Sequence, residues 1–176
     1  MADQEPASSG NGSGENTNEP QVSILAQYIK DLSVENPSSP QVCSWQVQPN
    51  LDVQVNIAVN GAAESVHDVI LKIDVTARSE NGVHFVVALS YAGLFGLRNL
   101  PEEALQPFLL IEAPRLLFPF ARQIIAEAVS STGFPPLLLD PIDFAGPYMA
   151  QLQAQQGSPA ETPQGGTPVE GESGTA

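Results

Sequence analysis

Apolar and polar residues alternate with a period of two along three successive stretches. Leu51, Val53, Val55, Ile57 and Val59 interleave with Asp52, Gln54, Asn56, Ala58 and Asn60. His67, Val69, Leu71, Ile73 and Val75 interleave with Asp68, Ile70, Lys72, Asp74 and Thr76, and Val83, Phe85, Val87 and Leu89 open a third run. Successive side chains of an extended chain point to opposite faces, so each run predicts a strand with one buried and one wet face. Asn60-Gly61 and Glu80-Asn81-Gly82 read as the turns between them, because Asn and Gly accept the positive φ of tight hairpins. Three such strands form an antiparallel meander. An earlier run, Val22 to Glu35, predicts a fourth strand, stopped by Asn36-Pro37-Ser38-Ser39-Pro40. In it Tyr28, Lys30, Leu32 and Val34 share one parity, while Ile29, Asp31, Ser33 and Glu35 share the other. That makes Asp31, Ser33 and Glu35 one polar, acidic face.

The period then changes. Asn99-Leu100-Pro101-Glu102-Glu103 reads as a polar helix start or turn. From Ala113, the residues Leu116, Leu117, Phe120, Ala121, Ile124, Ile125, Ala128 and Val129 recur every three or four positions, predicting an amphipathic helix with a broad apolar stripe. Pro114 suits its first turn, Pro119 is expected to kink or tighten it, and Thr132-Gly133 ends it. Phe134 to Asp140 reads as an extended apolar crossover. Asp140 then reads as an N-cap, with Pro141 as the first helical residue, for a short helix carrying Ala145, Tyr148, Met149 and Leu152 on one face. Strands first and helices second predict an α+β fold: a four-stranded antiparallel sheet with a long helix and a short C-terminal helix on one face. The helical stripe is wide for one sheet contact, so the chain is expected to oligomerise through its helices. Gly93 and Gly96 do not have phosphate-loop spacing and read as a strand-end bulge or turn.

Composition narrows the function. The chain of 176 residues holds 20 acids and 6 bases, a net charge of −14. Four acids fall in residues 1–21 and three in 157–176, with no base in either stretch. Both stretches are rich in small and polar residues and are expected to be disordered tails, leaving 22–156 as the folded domain. Scattered bases on an acidic chain exclude nucleic-acid binding and disfavour anionic membranes. No apolar run reaches the about 20 residues of a membrane span, so no direct membrane insertion is expected. One cysteine, Cys43, and no basic, apolar leader at the N-terminus fit a reducing compartment.

No catalytic or metal constellation emerges. His67 and His84 lack partners at ligand spacing and read as partly exposed strand residues. Cys43 reads as a semi-buried, inert thiol, and Glu102, Glu103 and Glu112 as solvated charges. No cofactor is expected. The surplus is apolar: Tyr28, Trp45, Phe85, Phe95, Phe108, Phe134, Phe144 and Tyr148, with Leu137-Leu138-Leu139 in the crossover. These either fill the core or line a long groove that binds extended polypeptide. A carrier or enzyme with an apolar α+β cavity and a purely structural oligomer are the other classes that fit.

Two longer motifs carry a resemblance. Leu116-Leu117-Phe118-Pro119-Phe120-Ala121-Arg122 and Gly133 to Phe144 resemble the family of the protein-export chaperone SecB. Tyr28 to Pro37 and Gly93-Leu94-Phe95 look like further segments of it, so the likeness covers residues 22–156. The resemblance implies a cytoplasmic, ATP-independent chaperone that holds unfolded preproteins and delivers them to the SecA export ATPase. It also implies a homotetramer built as a dimer of dimers. Asp31, Glu35 and Val86 match the SecA-facing surface, where Ala88 stands at a position that carries an acid in relatives. Tyr28 and Tyr148 match groove aromatics. Trp45 stands two residues before Val47, which occupies the family's tryptophan position ahead of Gln48-Pro49. The client groove is therefore expected to comprise Tyr28, Trp45, Val47 and Phe85, joined by Tyr148, Met149 and Leu152 of the last helix. The acidic C-terminal tail is expected to dock on SecA and carries no zinc ligands of its own.

Overall fold

Four long strands come from the alternating runs. In the computed structural model, which describes residues 19–156, they are β1 (Gln21–Glu35), β2 (Asn50–Ala63), β3 (Val66–Ser79) and β4 (Gly82–Arg98). They form one antiparallel sheet in the order β1-β4-β3-β2, so the first strand pairs with the last and the link 36–49 spans the sheet from edge to edge. The expected acidic tails lie, but for residues 19–21, outside the described residues, and Gln21 already belongs to β1.

Two turns differ from the sequence reading. β2 runs through Asn60-Gly61, and the chain reverses at Glu64-Ser65, where Ser65 takes φ 58°. Moving the turn outward adds the pairs Asn60–Asp68, Gly61–His67 and Ala63–Val66, and those backbone bonds outweigh the local turn preference. Gly93 and Gly96 do not end a strand; both lie inside β4. A Cβ on Gly93 would stand 2.7 Å from Leu117 Cδ2 and 2.8 Å from Phe95 Cε2, so the glycine admits a close approach of helix to sheet. The turn at Glu80-Asn81 is as read, with Gly82 at φ 139°.

The helices cover one face. α1 (Glu102–Pro107) runs through a wide π turn at Phe108–Glu112 into α2 (Ala113–Ser131). Pro114 has no N–H for the Leu110 carbonyl, and in the wide turn the Ala113 N–H bonds back to Phe108 instead of Leu109. α2 continues through Pro119 and ends at Thr132, with Gly133 left-handed at φ 92°. Leu117, Ala121, Ile125 and Val129 are fully buried against Val69, Leu71, Ile73, Val75, Val87, Leu89 and Phe95. The last helix, α3, spans Ala145–Gln156. Its cap is Asp143 and not Asp140: the Asp143 carboxylate accepts the Ala145 N–H at 2.9 Å and the Gly146 N–H at 3.2 Å. Phe144 is buried edge-on to Phe118, which anchors the chain there and delays the helix start.

Gly93→Ala is expected to destabilise the fold by about 1–3 kcal/mol through overpacking. In a Leu117→Ala background the added methyl enters vacated space and costs less. Urea unfolding at matched protein concentration checks both.

Candidate functional site

The sheet has an inner face toward the helices and an outer face away from them, and directly paired residues share a face. On the inner face, β2 is an edge strand that the helices cover only in part. Val55, Ile57 and Val59 are half-buried, whereas Leu51 is 47% and Val53 39% exposed. Beside this row runs the crossover 134–144, in which Leu139 is buried and Leu138 projects outward. Val55, Ile57, Leu110, Ile142, Phe144 and Tyr148 line a cleft of about 320 Å³, rimmed by Asn56, Asp143 and Gln151. The π turn aims Leu109 into the core and leaves Leu110 in this cleft.

At the crossover's other end stands an aromatic cluster. Trp45 packs edge-on to His84 at 5.0 Å between ring centroids, His84 lies 5.9 Å from Phe134, and Phe134 lies 5.2 Å from Phe85. His84 is buried rather than partly exposed: it is the extra residue where Val83 and Phe85 oppose Arg78 and Ala77, and its Nε2 lies 2.9 Å from Ser79 Oγ. His67 is half-buried, and Cys43 is exposed rather than semi-buried. Among the described residues no group of His, Cys, Asp and Glu is arranged to hold a metal ion, and no helix is long and apolar enough to cross a membrane.

The residues expected in one groove thus do not fall in one place. Tyr148 and Leu152 face Leu110. Trp45 is half-buried and Val47 39% exposed near the crossover's start. Phe85 is buried beneath Phe134, and Met149 is 57% exposed on the solvent side of α3. Tyr28 lies on the opposite face of the sheet altogether. Its simple parity fails because β1 contains two bulges, between Ile24 and Ala26 and between Ile29 and Asp31. Tyr28 pairs with Ala92 on the outer face, and Ile29 pairs with Tyr91 on the inner face beside Leu32–Leu89 and Val34–Val87.

Asp31, Ser33 and Glu35 do share the outer face, opposite Ser90, Ala88 and Val86. The rows continue across the sheet: Glu35, Val86, Thr76 and Asp52; then Ser33, Ala88, Asp74 and Gln54; then Asp31, Ser90, Lys72 and Asn56. Asp31, Glu35, Asp52 and Asp74 are all exposed there. The remaining lysine, Lys30, is drawn to Asp68, which also accepts the Tyr28 hydroxyl at 2.8 Å. That hydrogen bond, then burial, then the Asp68 charge hold the Tyr28 phenol above its ordinary pKa. Sequence reading passed over Asp68 as one more polar position on an alternating strand; only the β1-β4-β3 order brings it to Tyr28.

On α2, Leu116 and Phe120 are exposed, 44% and 49%. A groove of about 490 Å³ runs beside them between Pro119, Arg122, Ala126 and Ser130 of the helix and Pro136 and Leu138 of the crossover.

Known proteins share this organisation. Residues 15–155 match the family model described as preprotein translocase subunit SecB. The protein-export protein SecB of Sphingopyxis alaskensis is 55% identical over 82% of this chain and 83% of its own length, and that of Zymomonas mobilis is 57% identical over 77% and 83%. A SecB-like chaperone of Mycobacterium tuberculosis, solved in complex with a peptide from an antitoxin, shares the fold with a TM-score of 0.57 at 16% identity, over 69% of this chain and 91% of that one. With a family match over residues 15–155, and relatives identical at more than half of the aligned positions, the chain belongs to the SecB family of protein-export chaperones, which bind preproteins and are not enzymes.

Proposed function

We propose that the inner trench along β2 grips extended, unfolded preprotein segments and that the acidic outer face presents the loaded chaperone to the SecA ATPase. The observation that carries the first half is the uncovered apolar row Leu51 and Val53, continuous on one strand with the cleft at Val55 and Ile57. Apolar contact is non-directional and tolerates many sequences, which suits a chaperone with varied clients. Trp45 and Val47 at one end, and Tyr148 and Leu152 at the other, extend the trench. It lies open along its side, and this favours a passing polypeptide over an enclosed small ligand. No nucleotide is needed for such binding.

Four exposed carboxylates with Val86 among them favour a basic partner with an apolar contact point, the second half of the reading. Ala88 carries no acid, so on this chain Asp74, its neighbour in the row, supplies the charge. The exposed stripe Leu116–Phe120 supports assembly through α2, as a homotetramer of two dimers. Several trenches on one particle then raise the effective concentration of each for the rest of a bound chain. The acidic composition agrees with a cytoplasmic location, no helix among the described residues is long and apolar enough to cross a membrane, and the acidic C-terminal residues add charge for SecA docking.

Three outcomes check this reading. Leu51→Asp with Val53→Asp, both at exposed positions, is expected to weaken client binding about tenfold, about 1.4 kcal/mol, with folding intact. Suppression of aggregation of a denatured preprotein without ATP measures it, and unchanged suppression counts against the trench. Asp31→Arg with Glu35→Arg is expected to weaken SecA binding in a salt-dependent way while client binding stays as it was; titration calorimetry at two salt concentrations decides. Phe120→Glu is expected to shift sedimentation from tetramer to dimer, and an unmoved boundary argues against assembly through α2.

A further inference from the structure

We propose that Asp68 is a positioning residue for the acidic outer face: it pins the β1 bulge at Lys30 and so fixes where Asp31 and Glu35 stand. The inference rests on the docking role proposed above for that face.

Asp68 is only 8% exposed, on the outer side of β3 opposite Leu94. A carboxylate so withdrawn from water needs hydrogen-bonding partners. Both of its oxygens have one: the Tyr28 hydroxyl donates to Oδ1 at 2.8 Å, and Lys30 Nζ donates to Oδ2 at 3.1 Å. Both donors come from β1, which is not adjacent to β3. The contact reaches across β4, where Tyr28 is paired with Ala92, a residue with a single methyl.

One donor stands at the irregularity and the other two residues before it. Ile29 pairs with Tyr91 and Asp31 with Ser90, so Lys30 is the extra residue. Without it, every later side chain of β1 changes face. Asp31, Ser33 and Glu35 would turn toward the helices, and Leu32 and Val34 would turn out. The share of the acidic face that β1 supplies therefore depends on the bulge, and Asp68 holds the extra residue, Lys30, together with Tyr28 two residues before it. It also draws the Lys30 ammonium toward β3, so that this charge is not left to offset Asp31.

The experiment uses the full-length protein and purified SecA as probe. Asp68→Asn and Lys30→Met are each expected to weaken SecA binding five- to twentyfold, and the double variant is expected to be no weaker than the poorer single, because the pair acts as one unit. Asp68→Glu is expected to recover most of the binding. Amide hydrogen exchange across Asp31–Glu35 is expected to rise in both single variants while suppression of client aggregation is unchanged. Lys30 has a 46% exposed side chain, so Lys30→Met guards against simple misfolding. Tyr28 supplies a spectroscopic check. Its bond to Asp68 is intact below about pH 10 and is lost as pH rises through the raised folded value. The outer-face neighbours of Tyr28 on β4, Ala92 and Leu94, carry no charge; Asp68 and Lys30 are the charged groups it meets. The tyrosinate absorbance of Asp68→Asn is therefore expected to develop at lower pH. Wild-type SecA binding by both single variants, or unchanged exchange across 31–35, overturns the proposal. If that happens while Asp31→Arg with Glu35→Arg still loses SecA, the docking reading survives; normal binding by the charge-reversed protein overturns both.

Discussion

One helix is too narrow for four strands. A helix with its side chains is about 10 Å across, and strands lie about 4.8 Å apart, so a single long helix covers about two of them. Here α2 takes the two central strands, and Val69 to Val75 of β3 and Val87 to Phe95 of β4 are sealed beneath it. The inner rows of both edge strands remain short of cover. On β1 that leaves Val22, Ile24, Ile29, Leu32 and Val34 exposed; on β2 it leaves Leu51 and Val53. The crossover and α3 partly make good the deficit at β2, and what they leave open is the trench. The exposed apolar surface that the proposed trench uses is a geometric remainder of the fold.

The two faces of the sheet answer to different physics. The inner face is apolar and non-directional. The outer face depends on register, since each carboxylate occupies a set place in rows that cross all four strands. A β1 that kept its first bulge and lost its second would serve neither face: Asp31 and Glu35 would turn toward the helices and Leu32 and Val34 toward solvent. The bulges reconcile a strand whose residues do not alternate throughout.

Periodicity revealed most of this fold. The period-two runs from Leu51 and His67 and the three-and-four spacing of Leu117 to Val129 depend only on burial, and β2, β3 and α2 lie where those patterns are. The misses have a common cause, long-range contact overriding local preference. Asn60-Gly61 is a good turn, but pairing with β3 continues past it. Asp140-Pro141 is a good helix start, but Phe144 docks first and Asp143 caps the helix. Gly93 resembles a turn until Leu117 is placed above it. On the outer face, the shared side of Asp31, Ser33 and Glu35 was legible because they lie beyond the second bulge of β1, where plain alternation resumes. Tyr28, before it, was not. Nor were Leu110 and Ile142, since neither the π turn nor the path of the crossover leaves a mark in periodicity.

Trp45 is the only tryptophan in the sequence, and it stands half-buried at the crossover's start, edge-on to a histidine ring. The molecule thus carries a native fluorophore at one end of the proposed trench. Its emission, with no label attached, reports on that single location: on the water that reaches the indole, and on whatever polypeptide displaces it.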